Sequence, residues 1–169
     1  HDQGEALAVL LSGDGGWAGL DKEVSASLAE GGVPVVGFDS LEYFWKERTP
    51  EEAARDLERV LRHYFQAWEK KRAILVGYSL GANVLPFMAR GLSADLLARV
   101  SRVVLLGPGQ RADFEFHLSD WVSGSERGRP LQPEVDALHG PALLSVYGDE
   151  EGGPLCPTVA KKHGRGVGI

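Results

Sequence analysis

The 169-residue chain lacks the features that define several large protein classes. Its one cysteine, Cys156, excludes an internal disulfide and any zinc site built on several cysteines. No apolar run approaches the roughly 20 residues that a membrane-spanning helix needs. The net charge is -6 and no basic face stands out, which argues against a nucleic-acid partner. The remaining composition, 43% hydrophobic and 25% charged residues, is typical of a folded globular domain.

Both ends of the sequence suggest a piece of a longer protein. The first residue is His1 rather than methionine, so the absence of a signal peptide says nothing about export. At the other end, an apolar strand pattern begins at 167–169, where the sequence stops. We therefore expect a single domain over 1–169, truncated at its C-terminus, with no internal repeat or linker.

Apolar runs of strand type alternate along the chain with helix-forming segments. The runs are typical of strands buried on both faces and lie at 6–11, 33–38, 73–76, 103–106 and 142–147. Helices are predicted at 21–30 with Asp21 as cap, from a capping box at 49–52 onward, at 82–90 and at 93–99. Residues 114–118 alternate like an edge strand, and 124–133 has the composition of a surface loop. The pattern predicts an α/β domain with a mostly parallel sheet covered on both faces.

The most informative stretch is Gly-Tyr-Ser-Leu-Gly at 77–81, between a predicted strand and a predicted helix. A G-x-S-x-G motif at such a turn is the nucleophile elbow of α/β-hydrolases. Glycines at its ends let the two backbones pass closely. The strained turn lifts the Ser79 hydroxyl to a helix N-terminus, which stabilises developing negative charge. Ser79 is therefore predicted to be a nucleophile; the alternative is an ordinary glycine-rich turn with a capping serine.

A second glycine-rich loop, Ser-Gly-Asp-Gly-Gly at 12–16, follows the first strand. An oxyanion hole needs two backbone N–H groups, one from the residue after the nucleophile and one from an early loop of this kind. Leu80 meets the first requirement, and either Gly13 or Asp14 meets the second. The loop and the elbow together are more specific than either motif alone.

The acid and the base of a hydrolase triad follow the serine in chain order. Asp149 and Glu151, after the last complete strand, are both candidates for the acid; the alternative is a solvated acidic loop. His163 is the only later histidine, 163 − 149 = 14 positions beyond Asp149. That spacing is too short for the helix and strand that normally separate acid from base, so His163 is not expected to serve. His117 and His139 precede the acid, which leaves the triad without a base in this chain.

Several motifs together resemble one family, the bacterial virulence protein VirJ and the related AcvB proteins. The matching stretches lie at 12–17, 37–45, 49–51, 77–82, 84–87, 147–151 and 156–157. The most specific is Asp-Ser-Leu-Glu-Tyr-Phe-Trp at 39–45. The resemblance implies an α/β-hydrolase fold, here expected without its last strand and histidine loop. It supports Ser79 as nucleophile and the 149–151 cluster as acid.

The same resemblance implies a periplasmic enzyme that cleaves the aminoacyl ester of lysyl- or alanyl-phosphatidylglycerol. Asp14, Asp39 or Glu42 near the cleft could then bind the ammonium group; the alternatives are helix caps and solvated loop acids. Three aromatic side chains could line an acyl pocket, touch a membrane surface or pack as core: Tyr43, Phe44 and Trp45.

The expected partners are this ester substrate and, through the resemblance, proteins of a type IV secretion system. No nucleic acid, cofactor or metal is predicted. Two other functions stay open, namely a different carboxylesterase or thioesterase, and a non-catalytic binding component of the secretion apparatus.

Overall fold

A six-stranded parallel sheet forms the centre of the computed structural model, which describes residues 4–115, 128–147 and, by backbone alone, 166–168. The sheet has the order β2-β1-β3-β4-β7-β8, and a separate two-stranded ribbon pairs β5 with β6. The strands are β1 (Ala6–Leu11), β2 (Val35–Phe38), β3 (Arg72–Tyr78), β4 (Val100–Leu106), β5 (Arg111–Ala112), β6 (Arg129–Pro130), β7 (Ala142–Tyr147) and β8 (Gly166–Gly168). The helices are α1 (Leu20–Glu30), α2 (Ser40–Tyr43), α3 (Pro50–Ala67), α4 (Leu80–Arg90), α5 (Ala94–Leu97) and α6 (Gln132–Ala137).

The connections place helices on both faces of the sheet. The chain passes from β1 to β2 in one direction, then crosses back over β1 to reach β3 on its other side. Because crossovers between parallel strands are right-handed, α1 lies on one face and α3 and α4 lie on the other. The direction of winding therefore reverses between β1 and β3, and such switch points open a crevice at the carboxyl ends of the strands.

Helix α3 shows how closely local sequence can specify an element. Thr49 and Glu52 exchange side-chain-to-backbone hydrogen bonds in a capping box, and Pro50 occupies the first turn. Its buried stripe of Ala53, Ala54, Leu57, Leu61 and Phe65 then packs into the core. The predicted start of this helix is confirmed.

The strand pattern predicted at 167–169 is confirmed in part, because Gly166–Gly168 pairs in parallel with β7. The structure corrects two predictions. No strand begins at Phe114, and residues 116–118 of that predicted strand lie outside the described residues; instead, Arg111–Ala112 pairs with Arg129–Pro130. The second half of the predicted loop at 124–133 leads into α6, where proline stands in the first turn, a position it favours.

Within the described residues, no helix has the length and apolarity to cross a membrane.

Replacing Thr49 with alanine tests the capping box. The Thr49 hydroxyl accepts the Glu52 N–H at 3.1 Å, so its removal should lower the free energy of unfolding by about 1 kcal/mol in a urea titration. The matched control is Ser27→Ala, because Ser27 is exposed within α1 and should change stability by less than about 0.5 kcal/mol. Equal losses in the two variants would contradict the importance of the cap.

Candidate active site

The predicted nucleophile and the predicted oxyanion loop meet at the switch point of the sheet. In the register of β1 and β3, Leu11 lies beside Gly77, so the loops after these two strands leave the sheet side by side. The loop after β1 is 12–19, and the loop after β3 is the elbow at Ser79. Residues that are about 65 positions apart in the chain thus share one crevice.

Ser79 has the backbone conformation of a strained turn. Its φ is 51° and its ψ is -111°, a combination that costs a non-glycine residue about 1–3 kcal/mol. Two hydrogen bonds hold it there: its N–H donates to the Leu106 carbonyl at 2.9 Å, and its carbonyl accepts the Asn83 N–H at 3.0 Å. Strand β4 and helix α4 therefore fix the serine at the apex of the turn.

The two glycines of the elbow are required by close backbone contacts. A Cβ on Gly77 would lie 2.5 Å from the carbonyl oxygen of Gly81. A Cβ on Gly81 would fall on the carbonyl oxygen of Leu11 in β1. The interpretation of 77 and 81 as positions where backbones pass closely is confirmed.

The glycine loop lies directly against the serine. A Cβ on Gly13 would be 3.0 Å from Cδ1 of Tyr78 and 3.5 Å from Cβ of Ser79. The Gly81 N–H is occupied because it donates to the Ser12 carbonyl at 3.1 Å. The Leu80 N–H, at the first position of α4, has no acceptor among the described residues, as expected for the first turn of a helix. The Leu80 N–H is therefore available for the oxyanion role that the sequence predicts.

Ser12 connects three parts of the site, although the sequence alone gave it no role. Its buried Oγ accepts the Ser40 N–H at 2.9 Å and lies 3.3 Å from the Gly13 carbonyl, to which it donates. Its N–H donates to the Phe38 carbonyl at 3.0 Å. The one available signal is its position, since a hydroxyl directly after six buried apolar residues needs a partner.

Asp21 occupies an unexpected place. The sequence predicts it as the cap of α1, but the helix begins at Leu20 and the Asp21 side chain is only 2% exposed. Burial raises the pKa of its carboxyl, although the backbone N–H groups of Ala18 and Gly13 partly oppose that shift. Its Oδ1 has no hydrogen-bond partner in the described part of the chain.

An open cleft of about 470 Å³ lies beside this crevice. Seven residues line it: Asp39, Leu41, Glu42, Tyr43, Trp45, Lys46 and Arg48. The end of β2, where Asp39 caps α2, is two strands away from the end of β3, or about 10 Å. Trp45 is 60% exposed at the cleft, so of the three predicted aromatic residues it has the most surface to offer a ligand.

Phe44 belongs to the core, which is one of the alternatives that the sequence left open, and is not available as a substrate contact. The side chain is completely buried and makes edge contacts with the rings of Tyr43 and Phe114. Tyr43 is half-buried, and its hydroxyl donates to Asp56 Oδ2 at 2.6 Å. Burial and this hydrogen bond hold the pKa of the Tyr43 hydroxyl well above its usual range, so the hydroxyl stays protonated.

Four predicted or considered residues lie outside the described part of the chain: His117, Asp149, Glu151 and His163. Strand β7, which precedes the acidic cluster, ends at the same edge of the sheet as β3 and two strands away from it. His139 is exposed and precedes β7. It therefore lies at the opposite edge from Ser79, about 20 Å away along the strand.

Three solved structures illustrate the similarity of the fold. Est1E from Butyrivibrio proteoclasticus superposes with a TM-score of 0.63 at 15% identity, over 97% of this chain and 76% of that one. A protein from Thermoplasma acidophilum described as a predicted CIB-like hydrolase gives a TM-score of 0.60 at 15% identity, over 100% of this chain and 77% of that one. The Pyrococcus furiosus esterase Pf2001 gives 0.57 at 20% identity, over 87% and 63%. At these identities the similarity establishes the α/β-hydrolase fold.

The family assignment comes from the sequence. No curated protein matches the chain. The family described as bacterial virulence protein (VirJ) matches residues 5–169, which is nearly the whole chain and includes both loops of the crevice. The chain therefore belongs to the VirJ family of bacterial virulence proteins, as its motifs predict, and has the α/β-hydrolase fold.

Proposed function

We propose that the chain is a serine ester hydrolase that cleaves the aminoacyl ester of lysyl- or alanyl-phosphatidylglycerol through an acyl-enzyme. One observation carries the proposal: Ser79 is held at a φ of 51° with the glycine loop packed against it. A strained conformation of this kind persists only where the surrounding structure enforces it, and such residues cluster at active sites. The presence of esterases among the similar structures supports an ester as substrate.

The proposed reaction has two steps. The Ser79 hydroxyl attacks the ester carbonyl while its proton leaves to a general base. His163 is the only histidine after the acid and is not expected to serve, so the proposal assigns the base to no residue. The carbonyl oxygen becomes an oxyanion that the Leu80 N–H and an N–H of the 12–16 loop stabilise. The glycerol oxygen of the lipid then leaves with the proton that the base took from Ser79, and water hydrolyses the aminoacyl-serine, which releases the amino acid and restores the Ser79 hydroxyl. Asp149 or Glu151 would orient the base.

The carboxylates at the cleft beside the crevice favour a substrate with a positively charged aminoacyl group. Asp39 stands about 10 Å from the end of β3, within reach of the ammonium of a lysyl group whose ester carbonyl lies at Ser79. Glu42 adds a second carboxylate at the cleft, and the exposed Trp45 offers an apolar surface to a lipid. As the family resemblance implies, we place the protein in the periplasm.

One observation favours a second candidate, a non-catalytic binding component of a virulence apparatus. Of the two histidines in the described residues, His63 is exposed on α3 and His139 lies at the far edge of the sheet. Neither can take a proton from Ser79. A binding protein that has this fold but no hydrolase activity would still bind its partners when Ser79 is replaced, and the bacterium would keep its phenotype.

Substitution of Ser79 by alanine separates these two functions. In vesicles that contain lysyl-phosphatidylglycerol, wild-type protein should release lysine, whereas Ser79→Ala should lose at least about 10³-fold in rate. The control is Ser27→Ala, which removes an exposed hydroxyl of α1 and should leave the rate unchanged. Equal rates for wild type and Ser79→Ala would overturn the proposed chemistry, and an unchanged phenotype would favour the binding function.

Replacing Asp39 by asparagine tests the ammonium site. Asparagine keeps the oxygen that accepts the Glu42 N–H and caps α2, but removes the charge. The KM for lysyl-phosphatidylglycerol should rise about fivefold, as expected for roughly 1 kcal/mol from a partly exposed ion pair. The KM for an uncharged p-nitrophenyl ester should stay the same.

Glu47→Gln is the control for that experiment because Glu47 is exposed near the cleft without lining it. It should alter neither KM. Equal effects of Asp39→Asn on the charged and uncharged substrates would show that Asp39 acts on the structure of the loop and not on the ammonium.

A further inference from the structure

Arg48 is a half-buried cation at the cleft that has no ionic partner. It lines the cleft beside the crevice and, together with Gly37 and Phe38, the hollow at the end of β2. Among the described residues it forms no ion pair, and its Nε is buried without a hydrogen-bond partner. A partly desolvated charge without a counter-ion is costly, and so is a buried donor without an acceptor. Such a group in a native structure calls for an explanation.

Contacts within the protein hold the Arg48 side chain in a fixed position. Its backbone N–H donates to the Phe114 carbonyl at 3.0 Å, and its Cζ lies 4.8 Å from the centre of the Tyr43 ring. That ring is fixed in turn, because its hydroxyl donates to Asp56 Oδ2 at 2.6 Å and Phe44 packs against it edge-on. A guanidinium that is positioned in advance loses little conformational entropy when a ligand binds. This arrangement is typical of a binding residue rather than of a solvated surface cation.

The cleft carries charges of both signs, which come from different parts of the chain around α2. Its carboxylates are Asp39, the N-terminal cap of α2, and Glu42 within that helix. Its cations, Lys46 and Arg48, both follow the C-terminus of the helix. No ion pair joins the two groups within the described residues. The cleft therefore suits a ligand that itself carries a positive group and a negative group some distance apart.

We propose that Arg48, together with Lys46, binds the phosphate diester of the lipid headgroup. A phosphate accepts two N–H groups of an arginine at once, because its oxygens match the fork of the guanidinium. The phosphorus atom lies about 7 Å from the ester carbonyl carbon when the glycerol between them is extended. The ends of β2 and β3 are about 10 Å apart, so a guanidinium at the cleft can reach the phosphate while the carbonyl lies at Ser79.

The inference rests on the proposed function for the identity of the substrate. Binding of the headgroup, however, requires no turnover and can be measured on its own. The two claims can therefore fail separately.

A titration of the wild-type protein tests the contact directly. The probe is glycerophosphoglycerol, the soluble headgroup of phosphatidylglycerol, and the signal is the cross-peak of the Arg48 Nε–H in a proton–nitrogen correlation spectrum. This cross-peak should shift and saturate, whereas glycerol at the same concentrations should not move it. Inorganic phosphate should bind at least about threefold more weakly, because the carboxylates at the cleft repel its second negative charge.

Two substitutions separate the charge of Arg48 from its shape. By isothermal titration calorimetry, Arg48→Gln should raise the Kd for glycerophosphoglycerol at least about tenfold, as expected for the loss of charge-assisted hydrogen bonds. Arg48→Lys keeps the charge but loses the fork, so it should raise that Kd about threefold. Its spectrum also identifies the Arg48 cross-peak, which should be absent, and verifies that the variant is folded.

Arg102→Gln is the matched control. It removes an exposed cation from the first half of β4, away from the carboxyl edge of the sheet. The Kd for glycerophosphoglycerol should stay within a factor of about two.

Turnover gives a second readout. With vesicles that contain lysyl-phosphatidylglycerol, Arg48→Gln should raise KM about tenfold and change kcat by less than a factor of about two. The reason is that the phosphate takes no part in the reaction and is bound equally in the ground state and the transition state.

The outcomes are distinguishable. A cross-peak that does not saturate with glycerophosphoglycerol, or an Arg48→Gln protein with the Kd of wild type, would overturn the inference. Inorganic phosphate that binds more tightly than the diester would overturn the assignment to the headgroup and indicate a site for a free anion. If wild type binds the headgroup through Arg48 but hydrolyses no ester, the proposed function fails and the phosphate site stands.

Discussion

The contact between Gly81 and the end of β1 is the constraint on which the site depends. The Gly81 N–H donates to the Ser12 carbonyl at 3.1 Å, and its α-carbon lies so close to the Leu11 carbonyl that no side chain fits. This contact holds the first turn of α4 against the carboxyl end of β1. As a result, the serine that precedes Gly81 and the glycine loop that follows Leu11 face each other across a few ångströms. Without a glycine at 81, neither the strained turn nor the adjacent donors could form.

The parallel sheet supplies the rest of the arrangement. Because its winding reverses between β1 and β3, the crevice at their carboxyl ends stays open while helices cover both faces. Ser12 links the loop after β1 to α2, since its Oγ accepts the N–H of Ser40 at the start of that helix. The cleft with Asp39 and Trp45 is thereby placed about 10 Å from the serine. Ser12 also holds the glycine loop, since its Oγ donates to the Gly13 carbonyl at 3.3 Å.

The features that the sequence could predict are those that local spacing determines. The elbow, the glycine loop, the capping box of α3 and the strands at 6–11 and 142–147 each follow from residues that are close in the chain. The sequence could not decide whether Phe44 is buried or faces a ligand, because its ring packs against Phe114, 114 − 44 = 70 residues later. The burial of Asp21 was missed for a similar reason. An aspartate at a helix start usually caps that helix, and only the tertiary path of the chain buries this one.

The central claim is that the constrained Ser79 is a working nucleophile. The most direct measurement is intact-mass spectrometry of the protein after reaction with a fluorophosphonate, followed by peptide mapping of the adduct. These reagents react preferentially with a serine whose hydroxyl a neighbouring group has made nucleophilic. The account predicts one phosphonyl group per chain, on the tryptic peptide that carries Ser79. A chain that remains unmodified, or that is modified at another serine, would contradict it.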